Sequence, residues 1–144
     1  MSDQRAQFKT ADVLAAVGLD RKVWNNAVQR KLYEAAPPAG PAGHPRLFTV
    51  DDAIALYVLS HYSRIVGPAI AAQIATDVKA ELDRVAAAGR DCPTLWIVFP
   101  AAGTWHRVVA RPQLGVFTHA VDIDKARDVI LTYAEEKLGW TRPA

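Results

Sequence analysis

The residues best suited to do chemistry stand in one run, Asp20 to Tyr33, DRKVWNNAVQRKLY. Placed at about 100° per residue, Val23, Trp24, Ala27, Val28 and Leu32 fall on one face, with Lys22, Asn25, Asn26, Gln29, Arg30 and Tyr33 on the other. One face can be buried while the other presents amides, an ammonium and a guanidinium. The carboxamides of Asn and Gln bond bidentately to adenine edges, and Arg and Lys bond to guanine or phosphate. The chemistry expected of such a helix is the reading of double-stranded DNA. Asn25, Asn26 and Gln29 are the candidates for adenine, Arg30 and Lys22 for guanine or phosphate. Arg21 and Lys22 lie at the helix start, where phosphate contacts are common.

Other elements must hold that helix out. Thr10 is expected to cap a short helix from Ala11 to about Val17, with Asp12 in the first turn where the helix dipole favours an anion. Gly18 and Leu19 form a turn and Asp20 caps the next helix, giving the helix-turn-helix form. The stretch from Ala35 to Pro45 holds four prolines and two glycines, which exclude helix and regular strand. Arg46-Leu47-Phe48 can return as a short strand and make the loop the tip of a β-wing, with His44 and Arg46 touching flanking backbone or minor groove. Thr49 and Asp52 form a capping-box pattern ahead of an apolar helix from Asp51 to Ile65. Gly67-Pro68 breaks and restarts the chain, and Ile70, Ile74, Val78, Leu82 and Val85 stripe a further helix that Gly89 can end. Packing on the domain is the simpler role for that helix; dimer formation is the sharper one.

Lys9 to Leu14 ahead of a Gly turn, the polar helix, the Pro/Gly loop and the run from Arg46 to Ile54 together resemble the winged-helix DNA-binding domain of MerR-type regulators. The resemblance covers about residues 8 to 82, just over half the chain. It implies a winged helix-turn-helix with an Arg, an aromatic, a Thr and an acidic residue at the wing-to-helix junction, as Arg46, Phe48, Thr49 and Asp51-Asp52 provide. Asn25, Asn26 and Ala27 stand where that family commonly has Arg followed by aromatics, and Lys31-Leu32 where it has Gly-Leu. An Asn-rich face implies that the site read contains adenine.

After Arg90 the composition changes. Leu95 to Phe99, Trp105 to Ala110 and Leu114 to Val121 read as strands, separated by a turn at Ala101 to Thr104 and an interruption at Arg111-Pro112-Gln113. Asp122 then caps a helix with Ile123, Ala126, Val129, Ile130, Tyr133, Ala134 and Leu138 inward and Gly139 at its end. The expected fold is α+β: residues 1–90 a winged helix-turn-helix with following helices, residues 91–144 a three-stranded antiparallel sheet plus helix that dimerises or senses. Three strands leave open edges for a second copy. Trp96, Trp105 and Trp140 are expected in the core of this unit rather than lining a pocket.

Catalytic candidates are poor. His106 and His119 fall on neighbouring expected strands, and an enzyme would need them to converge with an acidic group in a pocket. His119 with Asp122 and Asp124 suggests a metal site, but Asp122 serves as a helix cap and Asp124 as a dipole partner. Cys92 is the single cysteine, so neither an intrachain disulfide nor a cysteine-based zinc site is available. No phosphate loop, nucleophile motif or paired zinc spacing is present. The expectation is a protein that is not an enzyme, with no catalytic residues, metal or cofactor.

Net charge is only +2, yet residues 5–46 carry seven Lys/Arg against three acidic residues. Basic charge concentrates where a phosphate-facing surface needs it. The polar N-terminus lacks a signal peptide's apolar core and no run is long enough to cross a bilayer, so a cytoplasmic, nucleoid-associated protein is expected, with no membrane partner. One small module buries little DNA, which implies a homodimer on an inverted repeat. The function expected is sequence-specific transcription regulation. The alternatives are an architectural or excisionase-like DNA binder, and a protein-interaction module without DNA binding. No small-molecule effector is legible.

Overall fold

A central helix organises the chain because its side chains are apolar on nearly every side. In the computed structural model, which describes residues 6–99, 106–111 and 117–143, this helix runs Val50–Val66 and is α3 in the order β1 (Phe8–Lys9), α1 (Thr10–Val17), α2 (Arg21–Gln29), β2 (Leu47–Phe48), α3, α4 (Pro68–Ala87), β3 (Thr94–Phe99), β4 (Arg107–Val109), β5 (Phe117–Asp122), α5 (Ile123–Leu138). The fold is α+β. Ile54, Leu56, Val58 and Leu59 of α3 are fully enclosed, with α4, α5 and α1 packed around them.

Local chemistry sets several element ends as expected. Thr49 Oγ1 accepts from Asp52 N at 3.1 Å and Asp52 Oδ2 accepts from Thr49 N at 2.8 Å, a complete capping box. Pro68 opens α4 at its first turn, and Asp122 caps α5 by accepting from Lys125 N at 2.9 Å. Gly18 and Gly139 close α1 and α5 in the left-handed conformation. Thr10 departs from its expected role: it lies inside α1, and Lys9 is the N-cap with no side-chain bond. Lys9 belongs to β1, and strand pairing there sets the backbone before a threonine cap can.

The strand expected after the loop exists, but with a different partner. Leu47–Phe48 pairs antiparallel with β1, in the register Phe8↔Phe48, rather than with a strand on the near side of residues 35–45. Prolines 37, 38, 41 and 45 lack the N–H groups that a hairpin across the loop requires. The second sheet has the order β4–β3–β5, both pairs antiparallel. Its expected turn at 101–104, Trp105, and Leu114 to Val116 lie outside the described residues. α5 follows the sheet and packs on α3, α1 and β3. Val129 and Leu138, expected inward, are exposed, while Leu131 is buried in their place. Trp96 and Trp140 are half-buried rather than enclosed. A single buried cluster runs from Ala6 to Ala134, through both the first 90 residues and those that follow.

Tyr33 is the sharpest correction. It was expected on the polar face of a helix running to residue 33, but α2 ends at Gln29 and Tyr33 is 3% exposed. Lys31 takes φ 56, the left-handed conformation, in the position where the resemblance leads one to expect glycine. The chain then folds back, so that Leu32 N and Tyr33 N both donate to Ala27 O, at 2.9 and 3.1 Å. Tyr33 turns under α2 and meets Trp24 with ring centroids 5.9 Å apart.

The Tyr33 hydroxyl has no hydrogen-bond partner among the described residues. Burial first, and then the charges of Asp52 and Asp83, push its phenol far above the ordinary value. The folded state disfavours the phenolate, so titration of this group costs no stability below the ordinary tyrosine value of about 10, and stability is lost as pH rises beyond it. Tyr33→Phe removes an unpaired buried polar group while keeping the ring, and is expected to raise stability by about 1 kcal/mol at pH 7. It should also shrink the loss of stability above about pH 10. Urea denaturation at neutral and alkaline pH measures both.

Candidate nucleic-acid interface

The polar face of α2 begins at its cap. The Asp20 carboxylate accepts from Lys22 N at 2.7 Å, closing the first turn. Trp24 and Ala27 anchor the helix from below, the indole meeting Phe48 edge-on at 5.6 Å and Tyr33 on another side. Phe48 comes from β2, so the β1–β2 pairing is what places an aromatic floor beneath the helix.

With that side buried, Arg21, Lys22, Asn25, Asn26, Gln29 and Arg30 all lie exposed along the other. None of these six side chains has a hydrogen bond or ion pair among the described residues. The helix carries no acidic residue of its own, and two cations stand in its first turn. That turn is the positive end of the helix dipole, where cations are unfavourable by about 0.3–1 kcal/mol and anions are welcome. Asp20 offsets part of this. A phosphate group placed there would relieve the rest.

The two loop candidates separate from that face. His44 is exposed, its backbone N–H donating to Pro41 O at 2.8 Å. Arg46 is half-buried, and its Nη1 donates to Pro37 O at 2.6 Å. That guanidinium closes the base of the proline-rich loop and has a structural duty the sequence did not signal.

The suspected metal set is otherwise engaged. Asp122 caps α5, Asp124 pairs with Arg127 at 3.2 Å, and His119 meets the rings of Tyr62 and Phe99 at 6.1 and 5.9 Å. No cluster of three His, Cys, Asp or Glu able to hold a metal occurs among the described residues. His106 and His119 do not converge, since β4 and β5 flank β3 on opposite edges. His106 instead meets Asp77 of α4 at 2.7 Å, a pairing between residues far apart in the chain that no local pattern announces. Cys92 is buried against Thr94 O, and burial first, aided by Glu81, pushes its thiol up, away from the reactive thiolate. A cleft of about 500 Å³ beside it includes Thr49, Lys79 and Asp83. Three of its polar groups are engaged with one another or with a cap: Thr49 belongs to the capping box, and Lys79 pairs with Asp83 at 2.6 Å and with Asp52 at 3.6 Å.

No family model, curated protein or solved structure matches the chain. No helix among the described residues is long and apolar enough to cross a membrane.

Arg46→Ala removes the bond to Pro37 O. Cleavage within residues 35–45 under limited proteolysis is expected to speed up, while global stability falls by no more than about 1.5 kcal/mol, the net worth of one hydrogen bond with modest packing loss. Fragment masses over a time course check it.

Proposed function

We propose that this chain is a sequence-specific double-stranded DNA-binding transcription regulator, cytoplasmic and nucleoid-associated, of the winged helix-turn-helix type that MerR-like proteins use. α1, the Gly18–Asp20 turn and α2 are the helix-turn-helix in this reading, and the β1–β2 pair with the loop between residues 35 and 45 is the wing. The observation that carries it is the outer face of α2: six exposed polar side chains, unpartnered among the described residues, on a helix whose cationic first turn is locally unfavourable in isolation. Positions that break a local stability rule without internal compensation are where function is sought. The face is too short of apolar groups for a protein-binding core, which is enriched in aromatics and depleted in Lys.

In the complex, Asn25, Asn26 and Gln29 read adenine edges in the major groove, Arg30 reads guanine or phosphate, and Arg21 and Lys22 hold phosphate. His44 lies where it meets flanking backbone. Arg46 keeps the loop in shape through Pro37 O, and in this reading it touches flanking backbone or the minor groove.

The test starts from DNA recovered genome-wide with the tagged protein, followed by titration of the recovered sequence. Asn25→Ala, Asn26→Ala or Gln29→Ala each relaxes preference at a particular base pair by about 1–3 kcal/mol. Lys22→Ala weakens all sequences alike and shallows the salt dependence by about one unit of slope. Absence of any duplex binding at low salt overturns the reading.

The outer strands β4 and β5 each have a single strand neighbour among the described residues. An open edge is a template for pairing with another chain, and two copies would double the DNA contacted. The protein is therefore expected to sediment at twice the chain mass at micromolar concentration and to protect two half-sites in inverted repeat. A monomer both free and on DNA sinks the dimer.

A further inference from the structure

The register of the second sheet sorts its side chains onto two faces, because directly paired residues of antiparallel strands point the same way. Leu95 and Ile97 of β3 and Val121 of β5 are buried, and Val108 of β4 packs on the core with them. The alternate positions therefore point away from that core. Trp96 of β3 has Val109 of β4 on one side and Ala120 of β5 on the other, with Val98 next along its own strand. Trp96, Val98 and Val109 are half-buried and Ala120 is exposed, and none of the four belongs to the core cluster or packs against it. A sheet with apolar residues on both faces has one face more than its own helices use, and such a face marks a contact with another surface.

The charges on this outer face say which surface. Arg107 is paired with Val98 and Asp122 with Thr94, so the two stand at diagonally opposite corners of the face, on the two outer strands. Both are exposed, and neither forms an ion pair among the described residues, Asp122 accepting only the backbone N–H of Lys125. A nucleic acid or an anionic membrane needs a basic surface, and this one carries one charge of each sign. Opposite charges at opposite corners of an apolar patch make it complementary to itself about a two-fold axis, as the interface of two identical chains must be.

We propose that a second copy of this chain seats on this face, Trp96 against Trp96, with the strands of the two sheets crossing steeply, one of the two usual ways in which sheets stack. A two-fold axis through Trp96, diagonal to the strands, sets Arg107 of each copy over Asp122 of the other and Val98 over Ala120. The strand edges are the poorer contact, since β4 is three residues long and short edge strands resist pairing. The inference rests on the dimer expected above and not on DNA binding.

The experiment is sedimentation velocity of the full chain from micromolar to submillimolar concentration, where a reversible dimer is expected. Trp96→Glu turns its charge out of the sheet, so its circular dichroism should match that of the unchanged chain while its dimer dissociation constant rises at least about thirtyfold. β3 is the central strand, so a dimer held by the edges of β4 or β5 survives this change. Arg107→Glu and Asp122→Lys each bring like charges together at both corners and should weaken self-association at least about tenfold. Mixed in equal amounts, the two variants set opposite charges at both corners, and the dimer should return. Asp122→Lys gives up the α5 cap, so its fold is checked by circular dichroism, and the Trp96→Glu result decides without it. A dimer of full strength in Trp96→Glu, or a mixture of two folded charge variants that stays monomeric, overturns the proposal. An unchanged chain that stays monomeric throughout overturns it together with the dimer expected above, while duplex titration of that same chain reads the DNA proposal separately.

Discussion

The packing of Trp24 is the contact on which the rest of the proposed site depends. A helix of nine residues is too short to persist alone in water, and α2 leaves its polar side wholly to solvent. Its order therefore comes from below, where Trp24 lies against Phe48 and Tyr33 and Ala27 fills the next turn. Fully burying one large apolar side chain contributes about 1.5–3 kcal/mol, more than the caps of so short a helix supply. Phe48 can serve as the floor only because its strand pairs with Phe8, and Tyr33 only because Lys31 turns the chain inward.

That floor is tied to the rest of the molecule by a few polar bonds across long sequence distances. Ser60 Oγ of α3 donates to Gly18 O at 3.0 Å, holding the turn before α2. The Tyr133 hydroxyl of α5 donates to Asp12 Oδ1 of α1 at 3.4 Å, and Thr76 of α4 holds the backbone of Glu34. The last helix and the first thus meet each other and share one core with α3. Arg142 bonds Asp128 and Glu135 at 2.8 and 2.7 Å and lays the end of the chain back on α5. The outer strands of the second sheet, meanwhile, each pair on one side only among the described residues.

Elements governed by neighbouring residues were legible in the sequence. The Thr49–Asp52 box, Pro68, the Asp20 and Asp122 caps and the two closing glycines act within a turn of themselves, so type and spacing suffice to read them. The three strands and final helix after Arg90 were legible for the same reason, each bounded by turn residues. Helix faces were less so. Ile65 has the helical spacing of the buried Ile54, Val58 and Tyr62, yet it is 59% exposed, since spacing does not say how far along a helix its neighbours reach. Val129 and Leu131 exchanged roles because a stripe predicts a direction, and the neighbour against which α5 settles decides the rotation. In the candidate interface the six polar residues of α2 were legible, whereas Arg46's bond to Pro37 was not, since it depends on how an irregular loop closes.

Amphipathic spacing, caps and proline content by themselves determined that Asp20 opens a helix with one buried and one polar face, and that a loop without regular structure follows it. Only the tertiary structure decided three further things. β2 joins β1 across the length of the first helical pair, Tyr33 turns beneath α2, and His106 meets Asp77 of α4 at 2.7 Å. The reason is physical. A cap or a helical face is settled by energies between residues three or four apart, but the partner of a strand or a buried imidazole is settled by which distant surfaces the whole core brings together.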